Sequence, residues 1–293
     1  MNRYRNQAFS AIEISLVILI IGILIAGISS GIDMYRSFDL NRARNLTKNS
    51  IVNRINNLEL WLETSAENSF LPNQQNQDSP VSHWFNSSFQ NTQNKLITQN
   101  LVAEQPKYAL QAFNNSIPAV RFDGVNDNFP VNVAFMNGAN FTIFTVEQRR
   151  SVSINKHFFF GGGASGVFHL GYINSSNIRV GQYGISGVNF FDLPISAFNS
   201  ADITPRIHTF ILSATTGKKY WLNGGDTPDR SSNNLALLSN FSGYIGVTEY
   251  STATPYFYQG DIGEIIIFSR ELSDKERKDV EKYLSDKFKI PLI

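Results

Sequence analysis

The chain has 293 residues, 42% of them hydrophobic and 17% charged, which is long enough to bury a sizeable core and too apolar for wholesale disorder. Lys+Arg (25) and Asp+Glu (24) leave a formal net charge of +1, so the chain lacks the basic field that draws nucleic acid. Cysteine is absent, which excludes disulfides, thiolate metal sites, iron–sulfur clusters and thiol catalysis together.

The N-terminus is the most informative segment. Met1 to Ala8 is polar and carries Arg3 and Arg5. Phe9 to Ile28 is almost wholly apolar, and its length of about 20 residues matches a hydrocarbon core of ~30 Å at ~1.5 Å per residue. Positive charge ahead of such a run holds the N-terminus in the cytoplasm and sends the remainder across. The run is too long for the apolar core of a signal peptide, and no A-x-A-like site follows it. A plain anchor would fit the length but gives no reason for Glu13, the only charge in the segment. A carboxylate near the end of a membrane helix is costly, and a functional role is the default reading.

The residues Ala8, Phe9, Ser10, Ala11, Ile12 and Glu13, followed by the apolar run Ile14 to Ile28, resemble the type IV prepilin family over about residues 1 to 35. The family has a short basic leader, a small residue before the cut, and a Glu five positions into the mature chain. Ala8 stands where Gly is usual, and Ala11 where Leu is usual. The resemblance implies cleavage between Ala8 and Phe9 by a prepilin peptidase and N-methylation of Phe9. It also implies that Glu13 pairs with the Phe9 amine of a neighbouring subunit during assembly. Pairing with a cation makes a carboxylate in lipid tolerable.

Farther along, Ile51, Ile55, Leu58 and Leu62 fall on one helical face. No proline precedes Pro72, so the spacing predicts one helix over 9–62, with 9–31 as its membrane and assembly part. Residues 63–80 are polar and rich in breakers and read as a linker. Short β-type runs follow, near 119–122, 141–148, 157–161, 166–172, 178–183, 208–214, 218–222, 243–247 and 258–269. Gly, Asn, Asp and Pro separate them, as in an antiparallel sandwich. Asn223-Gly224 and Asp123-Gly124 are turn signals. Ser273-Asp274-Lys275-Glu276 is a capping box, and Val280, Leu284 and Phe288 recur every four residues as an amphipathic C-terminal helix. The fold class is therefore α+β: a long membrane-spanning helix, a sandwich over 81–293, and a short closing helix.

Four stretches carry a second resemblance. They are Leu60-Trp61-Leu62 with Val81-Ser82-His83-Trp84, then 117–127, then Phe141 to Val146, then Gly260 to Phe268 with the closing helix. In this order they resemble the concanavalin A-like, or laminin-G-like, jelly rolls of bacterial surface proteins. The turn after the second Trp departs from the family pattern and reads Phe85-Asn86-Ser87-Ser88. The resemblance implies two antiparallel sheets and a role in binding glycans or proteins.

Catalytic signals are absent from the sequence pattern. Glycoside hydrolysis needs paired carboxylates on one cleft, and no Glu-x-Asp-x-x-Glu occurs. Glu264 stands alone in an apolar strand and reads as an edge residue or a member of a satisfied pair. His83, His157, His169 and His208 are scattered, without metal-ligand spacing. Asp123, Asn126 and Asp127 have the oxygen chemistry of a Ca²⁺ loop, set against the simpler reading of a turn bonding its own backbone. Trp84, Trp221, Tyr244, Tyr250, Tyr256 and Tyr258 offer faces for sugar stacking, against the commoner fate of packing in the core.

The expectation is a non-enzymatic type IV pilin-like or pseudopilin subunit in a bacterial inner membrane, its head periplasmic or extracellular in a filament. Its expected partners are other pilin-like subunits, prepilin peptidase, and a glycan or surface-protein ligand, with no nucleic acid and no cofactor beyond a structural Ca²⁺. The alternatives are an anchored adhesin that does not polymerise and, last, a glycan-active enzyme.

Overall fold

The computed structural model describes residues 10–91, 95–151, 157–163, 168–174, 177–182, 189–194, 203–239, 242–249 and 254–293. Helix α1 runs Ala11–Lys48, about 57 Å at 1.5 Å per residue. Its most apolar stretch has a mean hydropathy of 2.8 with none of it buried, and every residue from Ser10 to Tyr35 is exposed. By length and composition this helix can span a membrane or serve as a signal anchor.

The strands that follow are β1 (Leu58–Glu63), β2 (His83–Phe85), β3 (Leu96–Thr98), β4 (Lys107–Phe113), β5 (Ile117–Asp123) and β6 (Phe129–Val131). Next come β7 (Phe141–Arg149), β8 (His157–Gly162), β9 (Phe168–Tyr172), β10 (Asn177–Gln182), β11 (Asn189–Pro194) and β12 (Arg206–Ser213). The last are β13 (Gly217–Leu222), β14 (Arg230–Ser232), β15 (Gly243–Ile245), β16 (Val247–Thr248), β17 (Tyr256–Phe257) and β18 (Gln259–Phe268), before helix α2 (Asp274–Phe288). One sheet has the order β14-β13-β12-β7-β18-β5-β4, with β1 also on β18, and a second has the order β11-β10-β9-β8-β15-β6. All strand pairs within these two sheets are antiparallel. The two-sheet expectation therefore holds.

Strand β18 organises the first sheet. Its first half pairs with β5 and its second with β1, while β7 runs along the other side. Being central, it is buried on both faces, and its second half, Ile265-Ile266-Ile267-Phe268, is an unbroken apolar run. Its inward side chains Ile262, Ile265 and Ile267 join Phe141, Phe168 and Phe210 in the core between the sheets. Its outward Ile266 and Phe268 meet Trp61, Val280, Leu284 and Phe288 in a second core beneath α2. The head thus has three layers, one helical and two of sheet. Helix α2 begins at the predicted box: Ser273 caps it and Glu276 bonds back to the Ser273 amide at 3.0 Å.

Two sequence boundaries are corrected. The helix predicted over 9–62 stops at Lys48, with Asn49 as its C-cap. A 3₁₀ turn and a left-handed Asn57 (φ 66°) then redirect the chain into β1. Within β1 the apolar residues do not alternate because both faces are covered: Leu60 and Leu62 enter the core between the sheets, and Leu58 and Trp61 the core beneath α2. The stretch 63–80 is no linker either. Glu63, Thr64, Ser65, Ser69, Phe70 and Gln74 are buried, and Glu63 accepts hydrogen bonds from the Ser65 and Ala66 amides at 2.8 and 2.9 Å. The head starts at β1 rather than at residue 81.

The last turns of α1 are fastened to this head. Asp39 accepts from Lys289 at 2.7 Å and Ser116 at 3.0 Å. Arg42 donates to the Asp286 and Lys287 carbonyls at 2.6 and 3.2 Å, satisfying free carbonyls at the end of α2. Thr47 lies 3.2 Å from the Tyr283 hydroxyl. Burial would raise the Asp39 carboxyl, but Lys289, Ser116 and Arg42 outweigh it and hold it below the usual range.

Candidate functional site

Of the residues singled out at the N-terminus, Ala8 and Phe9 lie outside the described residues. Glu13 sits in the first turn of α1. Its carboxylate accepts the Ser10 amide at 2.8 Å, while Ser10 Oγ accepts the Glu13 amide at 3.2 Å. This reciprocal capping box satisfies two of the unpaired donors at the helix start.

Asp123, Asn126 and Asp127 are brought together in the turn after β5. Asp123 Oδ1 accepts from the amides of Val125 and Asn126 at 2.8 and 3.2 Å, and Asp127 Oδ2 accepts the Asp123 amide at 2.9 Å. Gly124, at φ +81°, supplies the left-handed residue, and a Cβ there would stand 2.7 Å from the Gln259 side chain. The Asp oxygens are thus engaged by backbone N–H groups, as in an Asx turn. Among the described residues no group of three or more His, Asp or Glu is arranged to hold a metal ion.

This turn borders a cleft of about 610 Å³ whose polar lining includes Asp78, Lys107, Arg121, Asp123, Asp127 and Arg150. Arg121 grips the buried Asp261 with two bonds, 2.7 and 2.8 Å, and Arg150 approaches the same carboxylate at 3.7 Å. Fixed donors and acceptors of both signs suit the hydroxyls of a polar ligand. Burial, and then Asp123, push the Asp127 carboxyl up to about 7. A raised carboxyl loses stability as pH rises, from the unfolded value of 3.8 to a full penalty above about 7. Asp127→Asn keeps the acceptor for the Asp123 amide and removes the charge. It should therefore stabilise the head by about 1–2 kcal/mol at pH 8, after solvent screening, and by little at pH 4. Urea unfolding at the two pH values checks this.

A second groove, of about 760 Å³, runs beside the β2–β3 hairpin and includes Glu67, Phe85, Asn86, Phe89, Asn91 and Lys95. Phe89 is 84% exposed at its rim, and an exposed ring beside amides and charges is a surface on which a sugar can stack. Sequence reasoning missed Phe89, because nothing in its spacing separates it from the core phenylalanines. The aromatics singled out instead are mostly core: Trp84, Trp221 and Tyr258 are buried. Tyr244 and Tyr256 are half-buried, and Tyr250 lies outside the described residues. The departing turn at Phe85–Ser88 has a structural use, since Asn86 Oδ1 accepts the Trp61 and Ser88 amides at 2.8 and 2.9 Å.

Glu264 is not at an edge. It lies on the central strand, where Trp61 Nε1 and the Tyr283 hydroxyl donate to Oε1 at 2.6 and 2.8 Å and Lys287 reaches Oε2 at 2.8 Å. His208 belongs to a network between the sheets, bonded to Tyr220 at 2.7 Å and to Glu147 at 2.8 Å.

The sandwich resembles solved structures in its fold. Domain 4 of AbnA, a GH43 extracellular arabinanase from Geobacillus stearothermophilus, solved with arabinotriose, matches with a TM-score of 0.50 and 14% identity, over 76% of this chain and 98% of that one. The Ruminococcus gnavus IT-sialidase CBM40 bound to alpha2,3 sialyllactose matches with a TM-score of 0.44 and 14% identity, over 56% and 94%. Trypanosoma rangeli sialidase matches with a TM-score of 0.47 and 13% identity, over 79% of this chain and 33% of that one. At these identities the likeness is one of fold. No protein-family model and no curated protein sequence matches the chain.

Proposed function

We infer that the chain is a type IV pilin-like or pseudopilin subunit that displays a lectin-like head from a bacterial inner membrane. The observation that carries this reading is the division within α1. Its first 25 residues or so are apolar and bare, as a segment meant for lipid or for other helices would be. Its last turns are bonded into a head with the sandwich fold of sugar-binding domains. In this reading a prepilin peptidase cuts between Ala8 and Phe9, and Phe9 becomes the methylated N-terminus. Glu13 meets the Phe9 amine of the next subunit.

The head is proposed to bind an oligosaccharide and to catalyse nothing, with the Arg121–Asp127 cleft and the Phe89 groove as the two surfaces for it. Structural Ca²⁺ is not needed, because Asp123 and Asp127 already accept backbone donors. Adding a chelator should leave the melting temperature unchanged, and calorimetry with and without Ca²⁺ tests that.

The deciding measurement is the intact mass of the mature protein from its native cells. A chain beginning at methylated Phe9 supports the reading, and one beginning at Met1 defeats it. Glu13→Gln should be processed yet fail to enter filaments. A second reading, an anchored adhesin that does not polymerise, is favoured by one contact: the Glu13 carboxylate is already engaged by its own N-cap. Absence of the wild-type chain from any filament fraction would select it. An oligosaccharide panel that shows no binding by the full chain in detergent would remove the lectin role from both.

A further inference from the structure

We propose that Lys287 and Glu264 condense into an intramolecular amide, with Glu63 taking up the released proton. The three side chains are fully buried between β1, β18 and α2. Lys287 Nζ lies 2.8 Å from Glu264 Oε2 and 3.0 Å from Glu63 Oε2. The other Glu264 oxygen, Oε1, receives both Trp61 Nε1–H and the Tyr283 O–H. That is the oxygen on which negative charge develops when an amine adds to the carboxyl carbon, and two fixed donors aimed at it form an oxyanion hole.

The two carboxyls are differently placed. Glu63 accepts from the Ser65 amide and hydroxyl at 2.8 and 2.7 Å, from the Ala66 amide at 2.9 Å and from Ser69. Burial would raise it, but Lys287 and these donors hold it at about 2, so it is the anion. Glu264 is raised, by burial first and by the Glu63 charge after it, although Lys287 acts against both. Burial lowers the Lys287 amine, but Glu264 and Glu63 together raise it above its ordinary value, so it starts as the ammonium. The reactive form is the one with Glu63 as the anion, Lys287 as the ammonium and Glu264 as the acid, the carboxyl that burial and the Glu63 charge push toward protonation.

The step balances without any co-reactant. Glu63 takes a proton from the Lys287 ammonium, and the free amine adds to the Glu264 carboxyl carbon, forming the C–N bond. A proton moves from nitrogen to the Oε2 hydroxyl, the C–Oε2 bond breaks, and water leaves. Three protons on nitrogen and one on Glu264 become one on the amide, two in water and one on Glu63. The net charge is zero before and after, but the products contain no buried ion. A low-dielectric site favours such a neutral set. Intramolecular reactants that reach a well-oriented geometry attain effective molarities of order 10⁵–10⁸ M. The chain has no cysteine, and this bond would tie α2, to which α1 is fastened, to the central strand of the sheet.

The test is a denatured tryptic digest of the full-length wild-type protein. The expected product is a branched peptide joining residues 231–270 to 283–289, lighter by one water than the sum of its parts, with no cleavage after Lys287. Glu63→Gln, which keeps an acceptor for the Ser65 and Ser69 donors, should give the two separate peptides and normal cleavage after Lys287. Separate peptides from the wild type would overturn the proposal and leave an ion triad. Joining in Glu63→Gln at the wild-type level would overturn the role given to Glu63. The wild-type digest decides the bond itself even if the variant fails to fold.

Discussion

Glu147→Leu is expected to destabilise the head by about 3–5 kcal/mol, the range for removing one partner of a buried charged network. Glu147 Oε1 accepts from Tyr172 at 2.6 Å and from His208 Nε2 at 2.8 Å, and Oε2 accepts from Tyr258. Arg206 in turn donates to the Tyr172 hydroxyl at 2.7 Å. Because Glu147 is acceptor-only, Nε2 of the neutral His208 carries the proton, and Nδ1 accepts from Tyr220. Without Glu147, two hydroxyls and one imidazole lose their acceptor in a dry interior, at about 1–3 kcal/mol for each unsatisfied group before relaxation. Glu147→Gln keeps an acceptor and should cost less than half as much. Chemical denaturation of wild type and both variants checks the order.

The same network sets the acid sensitivity. Burial drives the His208 imidazole below its ordinary 6.5, despite the bond to Glu147. Burial alone would raise Glu147, but His208, Arg206 and Tyr172 hold it below 4.5. Both folded-state values are depressed. For His208 the unfolded chain binds the extra proton, so a penalty sets in as pH falls below 6.5. For Glu147 the stabilisation is complete above 4.5 and is lost as pH falls toward its folded value. Stability should therefore decline in two stages below about pH 6.5, the reverse of the trend at Asp127, and Glu147→Gln should lose the lower stage.

Arg277→Met is the second large effect, again about 3–5 kcal/mol. The guanidinium is fully buried on α2, 2.5 Å from Glu281 and 2.9 Å from the Gly225 carbonyl, and stacks 4.2 Å above Trp221. Burial already raises Glu281, against the opposing pull of Arg277. Loss of the cation leaves that carboxyl with Thr209 at 2.8 Å as its remaining partner. In the double variant Arg277→Met/Glu281→Leu no charge is stranded, and most of the loss should return. A double-mutant cycle by thermal unfolding measures the coupling, with a drop of roughly 10 °C expected for the single variant.

The features legible in the sequence are those set by local chemistry. The apolar run beginning at Phe9 can be read alone, because hydrocarbon thickness imposes its length. The Ser273–Glu276 box is local by construction, as its partners lie three residues apart. Strands such as β7 and β12 announce themselves through β-branched and aromatic runs between breakers. The Asp123 turn could be read because Asp and Gly make it with their own backbone.

Other features depended on what the chain meets far away. Leu58–Glu63 has helical spacing, yet it is a strand because β18 offers it a ladder. Residues 63–80 have the composition of a linker, yet Glu63 is buried because Lys287, from the end of the chain, is there to meet it. Phe89 and Trp84 are five residues apart and equally apolar in sequence, yet one faces solvent and the other lies beneath Phe70 at 5.8 Å. Burial of a charge or a ring is a property of its distant neighbours, and no local pattern encodes which neighbours the folded chain will supply.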